Sequence, residues 1–96
     1  LGIMSGTSMD GVDYALCEIT RSRCELLDLW NAPYPQALRR RVMQCAANQS
    51  PSHELAQLHH DLGRFYTRHM RHDQAGSVIQ LVGLHGQTVF HHPSKG

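Results

Sequence analysis

The sequence predicts an α/β domain: an antiparallel three-strand meander, then two helices, then a parallel strand. Three observations carry this. A period-two apolar pattern lies near the start, two stretches of helical period follow in the middle, and a nearly continuous apolar run comes after them. With 96 residues the chain is at most one small domain. A chain of that size buries roughly 60–65% of its unfolded surface, enough for one modest core.

The first element is Leu1-Gly2-Ile3-Met4, an apolar run ended by Ser5-Gly6-Thr7-Ser8. Val12 to Ile19 then alternates, with Val12, Tyr14 and Leu16 on one face and Asp13, Ala15, Cys17 and Ile19 on the other. The second set reads as a further core face, which makes a carboxylate at its edge notable. A polar turn, Thr20 to Arg23, leads to Cys24–Tyr34, where Leu26, Leu27, Leu29 and Trp30 read as a third strand stopped by Pro33 and Pro35. Connections this short imply antiparallel pairing.

From Gln36 to Ala47, Leu38, Val42, Cys45 and Ala46 recur at helical spacing, and Arg39, Arg40 and Arg41 read as a solvated face. Ser50-Pro51 reads as an N-cap followed by proline at the first helical position, with Glu54 in the first turn. Leu55, Leu58, Leu62, Phe65 and Tyr66 form the apolar stripe of a second helix running to about His72. Val78 to Leu84, interrupted by Gln80, is a nearly continuous apolar run, as expected for a strand covered on both faces. His85-Gly86-Gln87-Thr88 follows, with a possible short strand at Val89-Phe90-His91.

Composition narrows the function. A formal net charge of +1 gives no nucleic-acid footprint and no attraction to anionic lipid. Three cysteines without CxxC spacing favour reduced core thiols in a cytoplasmic protein over a disulfide framework. No apolar run is long enough to span a membrane, and no signal peptide is visible. The chain starts without methionine, already inside a strand, and reads as a fragment.

A strand that follows a helical crossover lies parallel to an earlier one. If that partner is Leu1–Met4, the loops Ser5–Gly11 and His85–Thr88 leave the sheet at the same carboxyl-terminal rim, where open α/β sheets bind ligands. Two readings fit the stretch "GIMSGTSMDGVD". One is a wide hairpin turn with Asp10-Gly11 supplying the positive φ. The other is an anion cradle, in which backbone N–H groups and the hydroxyls of Ser5, Thr7 and Ser8 meet phosphate while Asp10 and Asp13 hold hydrated Mg²⁺. It is not a Walker A loop, since it has no lysine and a strand follows. For Asp13 the plain alternative is a solvated strand-end carboxylate. His85, at a strand's carboxyl end, either reaches a substrate or is hydrogen-bonded within its loop. His69 with His72, and His91 with His92, have spacings that can bind zinc, but no third and fourth ligands lie nearby. His59 and His60 read as solvated helix residues.

"GIMSGTSMDGVD" resembles the N-terminal signature of the anhydro-N-acetylmuramic acid kinase family, and "GLHGQTVFHHP" resembles that family's second block. Leu84 is bulkier than the serine or cysteine common before HGQT. The resemblance implies an actin/hexokinase-like (ribonuclease H-like) ATPase fold, with residues 1–96 as the N-terminal portion of the first of two lobes. It implies that Gly6, Thr7, Ser8, Met9, Asp10, Gly11, Val12 and Asp13 form the first phosphate loop for ATP and its Mg²⁺. His85, Gly86, Gln87 and Thr88 are candidate substrate contacts. The implied reaction opens the 1,6-anhydro bridge of 1,6-anhydro-N-acetylmuramic acid with water and transfers the γ-phosphate to O6, in bacterial peptidoglycan recycling. The family's base lies in a GDFR-like block beyond Gly96, so a catalytic base is not expected in this chain. The implied partner is a small-molecule sugar, and a homodimer is compatible with the full-length protein. The alternatives are a non-catalytic nucleotide- or sugar-binding domain of the same fold, or a small metal-binding module.

Overall fold

The computed structural model describes residues 1–6, 8–70 and 79–89. The strands are β1 (Gly2–Met4), β2 (Gly11–Ile19), β3 (Cys24–Pro33) and β4 (Gly83–His85); the helices between β3 and β4 are α1 (Gln36–Ala46) and α2 (Ser52–Arg68). The sheet order is β3-β2-β1-β4. β1 and β2 pair antiparallel with Ile3 opposite Tyr14, as do β2 and β3 with Tyr14 opposite Trp30. β4 pairs parallel to β1, with Met4 opposite His85. The meander and the parallel return thus form the mixed sheet the sequence predicts.

One face of this sheet meets the helices. Val12, Tyr14 and Leu16, the inward set of β2's alternation, are buried with Ile3, Trp30, Ala32 and Tyr34 against Val42 of α1 and Leu58, Leu62, Phe65 and Tyr66 of α2. Tyr14 and Trp30 stack across the strands with ring centroids 5.1 Å apart and planes 3° apart, an aromatic cross-strand pair of the kind that adds to area burial. The Tyr14 hydroxyl donates to the Tyr66 carbonyl at 2.8 Å, and Trp30 Nε1–H donates to the His69 carbonyl at 3.0 Å. These bonds fix the end of α2 over the sheet.

Burial, with Tyr66 nearby, pushes the Tyr14 hydroxyl from 10.0 up to about 12. The raised folded value means that its contribution is whole below pH 10 and is lost as pH climbs towards 12. Tyr14→Phe is therefore expected to cost about 1 kcal/mol at neutral pH and to flatten the alkaline decline. Urea midpoints measured at neutral and alkaline pH check both effects; an unchanged alkaline slope would assign that decline to other groups.

Several expectations are corrected. The Asp13, Ala15, Cys17 and Ile19 face is open, because both helices pack on the opposite side; Ile19 is 72% exposed, as are much of Leu26, Leu27 and Leu29. Strand β4 has three residues, all exposed, at the sheet edge, so the apolar run before it is not a strand covered on both faces. The three cysteines are free, but only Cys45, half-buried, packs against the core; Cys24 is exposed and Cys17 half-buried on the other face. Pro51 occupies the N-cap of α2 rather than its first turn, and no side chain caps that end. Leu55 is 47% exposed. Helix α2 stops at Arg68; Val78 and His72, like Phe90, His91 and His92, lie outside the described residues, and Val89 is not in a strand.

Arg41 is not part of a solvated face. It lies between Leu38 and Cys45 on the side of α1 that turns towards α2. There its Nε–H donates to Glu54 at 2.9 Å and its Nη1–H to Asp61 at 2.8 Å. The guanidinium, helped by the Gln57 amide, holds the Asp61 carboxyl below its usual range. This half-exposed bridge links the two helices.

Candidate functional site

Parallel pairing of β1 with β4 brings both polar loops to one rim. The Ser5 N–H donates to the His85 carbonyl at 3.3 Å, continuing the β1–β4 ladder past the strand ends. His85 Nδ1 is 3.2 Å from the Ser5 carbonyl. The imidazole thus contacts the other loop, not its own. Gln87 reaches further: its Nε2 donates to the Gly6 carbonyl at 2.7 Å and to the Thr88 carbonyl at 2.9 Å, while its Oε1 accepts from the Tyr34 hydroxyl at 2.9 Å.

The loop between β1 and β2 turns tightly. The Met9 N–H donates to the Gly6 carbonyl at 3.3 Å. Met9, not Asp10-Gly11, takes the left-handed conformation, at φ 56°. Gly11 has a different task. A Cβ there would sit 2.8 Å from the Ala32 carbonyl oxygen and 2.9 Å from Pro33 Cα, so β2 starts where only hydrogen fits against β3. Thr7 lies outside the described residues. Among the described residues, the N–H groups of Gly6, Ser8 and Asp10 have no backbone partner, and N–H groups at a loop tip are what an anion needs.

Ser5 does not belong with the exposed hydroxyls. It is fully buried, and its Oγ lies 3.4 Å from both the Tyr66 and Tyr34 hydroxyls. Ser8 is exposed, and its Oγ–H donates to Asp10 Oδ1 at 2.9 Å. Asp13, exposed on the open face, accepts from Asn31 Nδ2 at 3.0 Å through Oδ1. Val12, the other residue in this stretch, is buried and faces the helices, so its side chain is unavailable to a ligand. Asp13 is in register with Met4, and Met4 with His85, so the backbones of Asp13 and His85 stand two strand spacings apart, about 10 Å. Between and below them is a shallow, almost wholly apolar cavity of ≈ 470 Å³, lined by Met4, Ala15, Leu29 and Leu84 among others.

Asp10 and Asp13 each commit one oxygen to a neighbour and present an exposed carboxylate. No group of three or more metal-ligating side chains occurs among the described residues, so a dedicated metal cage is not formed by them. Magnesium bound with phosphates keeps several waters and takes only one or two carboxylates; the two aspartates fit that role.

Sequence reasoning missed Tyr34, Tyr66 and Asn31. Asn31 was within reach, since the hairpin register sets it opposite Asp13. Tyr66 was not, because its hydroxyl meets Ser5 only once α2 is docked, and Tyr34 lies outside both motifs.

The sequence model of the family described as anhydro-N-acetylmuramic acid kinase matches residues 1–96. The chain belongs to that family. Curated relatives named anhydro-N-acetylmuramic acid kinase agree: one from Vibrio vulnificus (strain CMCP6) is 38% identical over 98% of this chain and 27% of its own length. One from Trichormus variabilis is 39% identical over 99% of this chain and 26% of its own. One from Acaryochloris marina is 40% identical over 100% of this chain and 27% of its own. The chain thus spans about a quarter of the length of these kinases. No helix among the described residues is long and apolar enough to cross a membrane.

Proposed function

We propose that residues 1–96 are the N-terminal portion of the first lobe of a two-lobed, actin/hexokinase-like kinase acting on 1,6-anhydro-N-acetylmuramic acid. In this reading the complete enzyme uses ATP and water to make N-acetylmuramic acid 6-phosphate, in the cytoplasm, as a step of peptidoglycan recycling. The observation that carries it is the joined rim: the Gln87 amide holds the Gly6 carbonyl at 2.7 Å, so the glycine–hydroxyl loop and the HGQT segment form one surface.

Phosphoryl transfer asks a protein mainly for positioning and for stabilisation of charge. The N–H groups from Gly6 to Asp10 would face the phosphates. Magnesium, when bound, would neutralise phosphate charge, with Asp10 and Asp13 as its protein carboxylates. Gly86, Gln87 and Thr88 border the side from which a sugar would approach. His85 would stand beside them, its Nδ1 next to the Ser5 carbonyl.

The test is phosphorylation of 1,6-anhydro-N-acetylmuramic acid by the complete protein with Mg²⁺-ATP, beside residues 1–96 alone. The complete protein is expected to turn over and the segment to be inactive, because the base and the second lobe are expected downstream. Turnover by the segment alone would contradict the division of labour; a complete protein without turnover would contradict the kinase reading.

A further inference from the structure

We infer that Tyr34 is a positioning residue for the phosphates of a nucleoside triphosphate, an inference that rests on the kinase reading above. Tyr34 follows β3 directly and lies outside both sequence blocks that mark the family. Yet it touches the phosphate loop at both ends. Its backbone N–H donates to the Asp10 carbonyl at 3.0 Å, where the loop returns to β2. Its hydroxyl is 3.4 Å from Ser5 Oγ, where the loop leaves β1. The same hydroxyl donates to Gln87 Oε1 at 2.9 Å, on the second loop.

That last bond orients the amide. With Oε1 taken by a phenol, the Gln87 NH₂ turns to the two carbonyls on its other side, Gly6 and Thr88. The Gly6 carbonyl held in this way belongs to the glycine–hydroxyl loop. The phenol is suited to a fixed donor. Its ring is 6% exposed and meets Phe65 of α2 edge-on at 5.3 Å and 62°. Burial raises its pKa well above the ordinary tyrosine value, so it keeps its proton. Tyr34 therefore sets the loop's curvature from α2 and the sheet, before any ligand arrives.

Phenylalanine at this position keeps the ring packing and the backbone bond to Asp10 and removes only the hydroxyl. In the complete protein, Tyr34→Phe is expected to raise the Kd for Mg²⁺-ATP, measured by calorimetry, about fivefold to tenfold. The thermal midpoint should stay within a few degrees. Gln87→Met, which leaves Tyr34 in place, should weaken Mg²⁺-ATP similarly, and the double variant should be little worse than either single one, since both break one link. Tyr34→Phe or Gln87→Met with wild-type affinity for Mg²⁺-ATP would overturn the inference. So would a lower melting temperature with unchanged nucleotide affinity, which marks a purely structural hydroxyl. A wild-type protein that binds no Mg²⁺-ATP would overturn the kinase reading itself.

Discussion

Gly11→Ala is expected to destabilise the protein by about 3 kcal/mol, at the upper end for inserting one methyl group into packed structure. The added Cβ would meet the Ala32 oxygen at 2.8 Å and Pro33 Cα at 2.9 Å, both backbone atoms of β3 that no side-chain rotation can move away. The conflict is one of contact, since Gly11 does not need a left-handed φ. Relief requires β2 and β3 to part at the point where the Tyr34 N–H and the Asp10 carbonyl tie them at 3.0 Å. The strain would therefore spread into the loop. Gly6 is the control: a Cβ there meets nothing within 4 Å, so Gly6→Ala should stay within about 0.5 kcal/mol. Urea unfolding of the two variants and wild type decides this. Equal midpoints for Gly11→Ala and Gly6→Ala would show that the strand approach yields cheaply.

Much of the architecture is legible in the chain itself, for a physical reason. The alternation of Val12, Tyr14 and Leu16 and the spacing of Leu58, Leu62 and Phe65 record burial directly, and all six are core residues. Parallel return of β4 followed from its place after two helices. Apolar character alone misleads where a face is open. Ile19, Leu29 and Leu84 have the same composition as core residues, yet the helices cover only the opposite side of the sheet or stop short of its edge. Arg41 was misread because its partners, Glu54 and Asp61, come from the next helix. In the site, local spacing placed the turn and the two loops. The positive φ nevertheless fell on Met9, since Gly11 is claimed by its contact with β3. Ser5 looked like a ligand-facing hydroxyl and proved to be a buried link to two tyrosines. Such links depend on helix docking, which sequence spacing does not report.

Asp13→Asn in the complete kinase is expected to lower kcat and kcat/KM together, by about 100-fold or more. Asp13 is an exposed carboxylate on β2 at the shared rim, one strand from Met4 and two from His85. Asn31 Nδ2 donates to its Oδ1 at 3.0 Å. Asparagine preserves this shape and can still offer its carbonyl to the Asn31 amide, so the fold should persist while the charge is lost. A charge used mainly in the transition state lowers both constants equally, whereas a solvated strand-end aspartate leaves both unchanged. Steady-state kinetics of this variant at saturating Mg²⁺-ATP, beside a thermal melt, most directly tests the rim as a phosphoryl-transfer site. A folded variant with kcat and kcat/KM both about 100-fold lower is the predicted result; a folded variant with wild-type rates would contradict it.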